Sequence, residues 1–285
     1  MNNFIKRTIS GIGFAAIMLA AFLTNQYVFG AVMLFALIVM MWEFLRMTCG
    51  KEYKYSQILS ILSGATLFTL IYCCRAFDLP GRLTILAFVP VFILMINSLY
   101  VKDKSRFDKF ANLYTAILYI AVPWSVLNFA VFSADGTFSG TLLLCFFCII
   151  WGSDVGAYLF GVTLGQKYGK KLFPSISPKK SWIGFWGGMF MAIVVSITLY
   201  LVGCFPHFSA CEVTNIFNYI AIAVLLHVTG VYGDLIESQW KRHYNVKDSG
   251  TIIPGHGGLL DRFDSALIAI PIGVIYLVIA HVLHI

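Results

Sequence analysis

The chain is a succession of separate, nearly uncharged apolar runs, each long enough as a helix to cross the hydrocarbon core of a bilayer, which takes about 20 residues. Nine are read: 9–25, 27–47, 56–76, 83–101, 113–133, 139–161, 182–204, 214–237 and 265–284. A large soluble protein could bury one or two such runs, but not this many. Hydrophobic residues make up 59% of the chain and charged residues 12%, whereas soluble domains carry about 25% charge. Inside lipid the backbone must satisfy its own polar groups, which leaves helices as the natural spans. The expected fold is therefore an all-α integral membrane protein with about nine transmembrane helices.

The basic residues orient these spans. Of the 20 Lys and Arg, 18 fall at the N-terminus or in alternate connections, and only Arg75 and Arg82 fall on the opposite face. By the positive-inside rule the N-terminus is cytoplasmic and the C-terminus is outside. The net charge of +7 thus describes cytoplasmic loops. It suits anionic headgroups and phosphates and requires no nucleic acid. Lys6 and Arg7 ahead of an apolar run resemble a signal peptide, but the run is long and the next span follows at once, so it reads as an uncleaved first helix. Cys145 and Cys148 form a CxxC inside a span and read as small apolar filler. Cys204 and Cys211 share an outer loop, where they either pair or stay reduced.

Two regions differ in kind. Residues 1–133 are ordinary spans joined by short charged loops, and residues 134–285 carry the chemically loaded segments. In the first region Glu43 sits three residues before Arg46, so snorkelling or an ion pair explains it. In the second, three cytoplasm-facing stretches stand out: WGSDVGAYLFG (151–161), GKKLFPSISPKKSWIGFWGG (169–188), and the charged, glycine-rich run 233–264. They place the expected active site at the cytoplasmic ends of the C-terminal helices.

Asp154 interrupts an apolar run among Gly152, Gly156 and Gly161. Such an acid faces a cavity or counter-charge, or else reaches headgroup water from a helix end; small neighbours permit close approach of a helix or ligand. Pro178 suits a turn or helix start, with Ser177 or Ser181 as the cap. A free helix N-terminus beside Lys179 and Lys180 would seat a phosphate, although on their own these lysines read as positive-inside membrane anchors. Asp234, Glu237, Ser238 and Lys241 follow helical spacing and share one face. Beyond them lie Lys247, Asp248, His256, Gly257, Gly258, Asp261, Arg262 and Asp264. Glycines there would let backbone amides approach phosphate oxygens. Carboxylates from two helix ends, Asp234 on one and Asp261 and Asp264 on the other, suit Mg²⁺, which uses few protein oxygens and leaves positions for substrate phosphates. The alternative is a solvated loop closed by ordinary caps.

The order S-x-x-K-R-x(4)-K-D…P-x-H-G-G-x-x-D-R-x-D, met here as Ser238, Lys241, Arg242, Lys247, Asp248, Pro254, His256, Gly257, Gly258, Asp261, Arg262 and Asp264, resembles the phosphatidate cytidylyltransferase (CDP-diacylglycerol synthase) family. DVGAY from Asp154 and the SPKK-S-W run resemble it too. One departure is Ile183, where many relatives carry Glu or Gln. The resemblance implies the reaction CTP + phosphatidate → CDP-diacylglycerol + pyrophosphate, with Mg²⁺ as cofactor and room for K⁺ beside it. It implies Asp234, Asp261 and Asp264 as metal ligands, and Asp234, Asp261, Asp264 and Lys241 as the catalytic set. Lys241, Arg242, Lys247 and Arg262 would neutralise phosphates, and His256, Gly257 and Gly258 would line the nucleotide cradle. Ser238 and Asp248 join the substrate-binding residues, while Asp154, Ser177, Lys179 and Lys180 complete the cavity where the lipid enters. A bacterial inner-membrane location, a cytoplasm-facing site, contact with membrane lipid and a possible homodimer complete the expectation. Its rivals are an ion-coupled carrier, against which the charges stand at helix ends rather than the midplane; a CDP-alcohol phosphotransferase, whose D-G-x-x-A-R pattern is absent; and a lipid or polyprenol kinase.

Overall fold

The computed structural model describes residues 3–101, 107–205, 212–255, 257–280 and 282–283. His256, Cys211 and the basic residues Lys102, Lys104 and Arg106 lie outside the described residues. The helices, in order, are α1 (Asn3–Leu23), α2 (Gln26–Cys49), α3 (Lys54–Ala76), α4 (Gly81–Tyr100), α5 (Phe107–Val131), α6 (Thr141–Tyr168), α7 (Trp182–Leu201), α8 (Glu212–His243) and α9 (Leu260–Ile279). Among the described residues, eight segments are long and apolar enough to cross a membrane, and a shorter apolar helix covers Thr8–Leu23.

Several expected spans shift when the backbone is followed. The fourth is a composite, opening as a 3-10 helix over Gly81–Ala87 before becoming α-helical. The sixth does not stop near residue 161. It continues through a π-helical stretch, Gly161–Gly165, to Tyr168, so Asp154 lies in mid-helix rather than at a helix end. The eighth runs on to His243, because nothing in the polar sequence after Asp234 breaks a helix. Between α6 and α7 a small antiparallel hairpin pairs β1 (Lys171–Phe173) with β2 (Ser177–Ser181).

The chain forms two compact units. The first comprises residues 1–139 and 243–263. Its core is aromatic and sulfur-rich: Trp124 is fully buried, donates its indole N–H to the Met33 carbonyl (2.9 Å), and meets Phe263 edge-on at 4.8 Å. The segment after α8 is tied to the N-terminal helices by polar contacts. Asn112 donates to the Tyr244 hydroxyl (2.9 Å), and the Ser10 hydroxyl donates to the Pro254 carbonyl (2.9 Å).

The second unit comprises residues 140–242 and 264–285. Its organising feature is the α6–α7 seam. A Cβ at Gly156 would stand 2.4 Å from Met191 Cγ and 2.8 Å from the Gly187 carbonyl oxygen. The glycines around Asp154 thus allow two helix backbones to approach, the packing favoured in membranes where small side chains replace the hydrophobic drive. Gly233 does the same for α8, since a Cβ there would meet the Asp264 carbonyl at 2.5 Å. That close approach brings Asp234 beside the stretch of α9 bearing Asp264.

Candidate active site

In the second unit, a cavity of about 660 Å³ opens beside Asp154, Lys179, Lys180 and Asp234. Its remaining wall is largely apolar, with Tyr158, Val162, Leu172 and Phe185 contributing. Lys180 Nζ pairs with Asp234 Oδ2 at 2.8 Å, and Ser238 donates its hydroxyl to Asp234 Oδ1 at 3.1 Å. One turn on, Lys241 donates to Glu237 Oε2, and Glu237 is fully buried. The helical spacing read from sequence is therefore realised as two i, i+4 contacts on one face of α8. Asp264 is within electrostatic reach of Asp234, Lys241 and Asp154, so three carboxylates and a lysine gather in this unit.

The lysines reach this place by a route the sequence did not indicate. Ser177–Ser181 is a β-strand, not a helix start, and Pro178 is tolerated because the strand is an edge. Ser181 caps α7, its hydroxyl accepting from Gly184 N at 3.2 Å. The expected phosphate seat on free α7 amides is thus partly filled by the chain's own cap, and the hairpin is what carries Lys179 and Lys180. Gln166 fastens it by donating to the Lys179 carbonyl at 2.7 Å. Ser177 opens the same strand, and Arg242 Nε donates to the nearby Ile176 carbonyl at 3.4 Å. Ile183, the departure from the family pattern, is not among the cavity residues, whose wall at this turn is made by Gly184 and Phe185.

In the first unit a second, more polar cavity of about 510 Å³ is lined by Lys247, Asp248, Gly250, Gly257 and Arg262, among others. Asp261 organises this loop: its Oδ2 accepts from Ser249 N (2.9 Å), the Ser249 hydroxyl (3.0 Å) and Gly258 N (2.8 Å). Gly257 is needed for its backbone, which lies in the left-handed region at φ +88°. Gly258 has a packing reason of its own to lack a side chain. A Cβ there would fall 2.2 Å from Ser249 Oγ and 2.7 Å from Glu43 Oε2.

Glu43 is the residue that sequence reasoning misplaced. Arg46, its supposed partner, lies instead over the Trp42 ring, 5.1 Å from the centroid. Glu43 is 0% exposed, and its Oε2 accepts from Leu260 N at 2.8 Å and from the Ser249 hydroxyl at 3.4 Å. The only available signal was an acid inside an apolar run, and the nearby arginine explained it away.

These features define a class: a polytopic helical protein with membrane-spanning segments, a lysine–aspartate pair at a part-apolar cavity, and a glycine-rich, cation-bearing loop. The chain matches the Cytidylyltransferase family over residues 5–280 and belongs to it. It is 31% identical over 241 residues to the phosphatidate cytidylyltransferase of Staphylococcus haemolyticus, spanning 84% of this chain and 87% of that protein. It is 37% identical over 187 residues to the phosphatidate cytidylyltransferase of Bacillus subtilis, with 65% of each chain covered. Against the Staphylococcus aureus protein of the same name, identity is 37% over 165 residues, with 58% of this chain and 60% of the relative covered. The last two alignments thus span less than two thirds of the relatives' lengths.

Proposed function

We propose that this chain converts CTP and phosphatidate to CDP-diacylglycerol and pyrophosphate. The observation that carries the reading is the Lys180–Asp234 pair at the edge of a cavity whose other wall is apolar. A lipid phosphate needs both halves of that arrangement: cations for the headgroup and apolar surface for the acyl chains.

In the reaction, a phosphate oxygen of phosphatidate attacks the α-phosphorus of CTP. The new P–O bond forms as the bond to the β-phosphate bridging oxygen breaks, and pyrophosphate leaves with that electron pair. A phosphomonoester has a second pKa of about 6, so the nucleophile is already largely dianionic and needs no strong base. What the protein contributes is position and charge. Lys179 and Lys180 hold the lipid phosphate, Asp154 lines the entry, and Ser238 fixes the rotamer of Asp234. Lys247 and Arg262 meet the nucleotide phosphates from the glycine-rich loop, with Lys241 and Arg242 adding positive charge.

The donor chemistry fits Mg²⁺: the candidate ligands are carboxylate oxygens, and a cationic Lys180 Nζ already sits 2.8 Å from Asp234. Among the described residues no three His, Cys, Asp or Glu side chains form a ready metal cage, and the ion proposed here would take one or two carboxylates and fill its remaining positions with phosphate and water. Asp234 and Asp264 would hold it. Bound there, the ion would neutralise charge building on the phosphates during transfer. An accompanying K⁺, a homodimer, nine crossings, and a cytoplasm-facing site in a bacterial inner membrane belong to the same proposal. They rest on the resemblance and on the charge asymmetry of the loops.

Detergent-purified protein given CTP, phosphatidate and Mg²⁺ is expected to form lipid-soluble CMP product, falling about 100-fold or more with EDTA. Equal turnover in EDTA would remove the metal from the proposal. Turnover with ATP but not CTP would replace it with a kinase.

A further inference from the structure

We infer that Glu43 is a positioning residue for the nucleotide-binding loop, holding residues 249–261 in the shape that presents Lys247 and Arg262. The inference rests on the cytidylyl-transfer reading for what the loop binds, but not for the loop's shape. Glu43 lies in α2, 217 positions before Leu260, whose backbone N–H it accepts. It is fully buried, and its two described hydrogen bonds run to the two ends of the loop: to the Ser249 hydroxyl and to Leu260 N, in the first turn of α9. Leu260 N has no partner within its own helix, so Glu43 supplies from a distant segment the acceptor that a cap residue ordinarily supplies locally.

The fit around the carboxyl is specific. A Cβ at Gly250 would stand 2.2 Å from Glu43 Oε1, and one at Gly258 would stand 2.7 Å from Oε2. Two glycines of the loop are therefore shaped to this side chain. Ser249 links the system, donating its hydroxyl toward both Glu43 Oε2 and Asp261 Oδ2. Among the described residues Glu43 Oε1 has no hydrogen-bond partner, a cost that folding alone would remove by placing an apolar side chain there. The buried acid is thus better accounted for by the loop it fastens than by the packing of α2.

The test compares Glu43→Leu, which keeps bulk and removes both acceptors, with Glu43→Gln, which keeps one carbonyl oxygen for Leu260 N and Ser249. In full-length detergent-solubilised protein, Glu43→Leu is expected to raise KM for CTP about tenfold or more, the effect of losing two buried hydrogen bonds. KM for phosphatidate should change less than about twofold, because the cavity suited to the lipid is built from other residues, and Glu43→Gln should restore most of the CTP affinity. Trypsin cleavage after Lys247, followed by mass spectrometry, reads the loop without catalysis: it should accelerate in Glu43→Leu and return toward wild type in Glu43→Gln. Should Glu43→Leu fail to fold, Ser249→Ala takes its place, with the same changes at smaller size. Wild-type KM for CTP together with wild-type cleavage in the folded variant overturns the inference, as does an equal rise in KM for both substrates. Faster Lys247 cleavage in a protein that does not turn over CTP would uphold the positioning role and reject the nucleotide reading instead.

Discussion

Asp234→Asn is expected to lower kcat about 1,000-fold while leaving the protein folded in detergent. The substitution preserves shape and still offers an oxygen to the Ser238 hydroxyl, which now donates to Asp234 Oδ1 at 3.1 Å. What it removes is the negative charge that faces Lys180 at 2.8 Å and that would face the metal during transfer. An electrostatic group acting on charge that develops in the transition state is worth about 100- to 1,000-fold in kcat. A carboxylate that pairs with the lysine and would also hold the proposed metal belongs at the upper end. The ion pair itself is partly exposed to solvent, with side chains 26% and 34% accessible, so its loss changes stability by no more than about 1 kcal/mol. Near-wild-type turnover in Asp234→Asn, measured beside an unchanged melting curve, would take Asp234 out of the site. Asp264→Asn and Asp261→Asn make the same comparison for the α9 carboxylates. Asp261→Asn should in addition loosen the loop, because Oδ2 of that residue accepts three hydrogen bonds.

Gly156→Val should have the largest effect on folding. The added Cβ would lie 2.4 Å from Met191 Cγ and 2.6 Å from its Cβ, which rotation of that side chain could relieve only in part, and also 2.8 Å from the Gly187 carbonyl oxygen, which it could not relieve. Relief then requires α6 and α7 to separate, at a cost of about 3 kcal/mol, the upper end for overpacking a close-packed interior. The expected result is a sharply reduced monodisperse fraction on size-exclusion chromatography and a melting point lower by several degrees. Gly81→Ala is the control, since a Cβ there meets nothing within 4 Å among the described residues. If both variants behave alike, the seam is not held by close backbone approach.

Eight of the nine expected spans correspond to segments long and apolar enough to cross a membrane among the described residues, because an uncharged helix of bilayer length leaves a plain mark in sequence. So was the face of α8, since Asp234, Ser238, Glu237 and Lys241 interact through local spacing that any helix enforces. What escaped were particular contacts set by distant pairing, although the approach of Asp234 to the α9 stretch bearing Asp264 and the shared cavity of Asp154, Lys179 and Lys180 were anticipated. The Lys180–Asp234 pair joins a hairpin to a helix across a long stretch of chain, and the SPKK segment is extended only because Lys171–Phe173 pairs with it. Read alone, its proline suited a turn or a helix start; the Ser181 cap of α7 was anticipated, the strand before it was not. Glu43 shows the same blindness more sharply: Arg46 lay close in sequence, while the true partners, Ser249 and Leu260, lay far off. Glycine posed a further ambiguity. The residue type marks close approach but not what approaches: at Gly156 it is the neighbouring helix, one of the two partners its sequence allowed, and at Gly258 a buried carboxyl and a serine hydroxyl stand beside the backbone.

The most direct test of the central claim, that this chain moves a cytidylyl group onto a lipid phosphate, is the fate of label in purified protein given phosphatidate and Mg²⁺ with CTP labelled at either the α- or the γ-phosphate. Cytidylyl transfer predicts α-label in the lipid fraction and γ-label in pyrophosphate. γ-Label in the lipid fraction, or no label there in either experiment from well-folded protein, would contradict it.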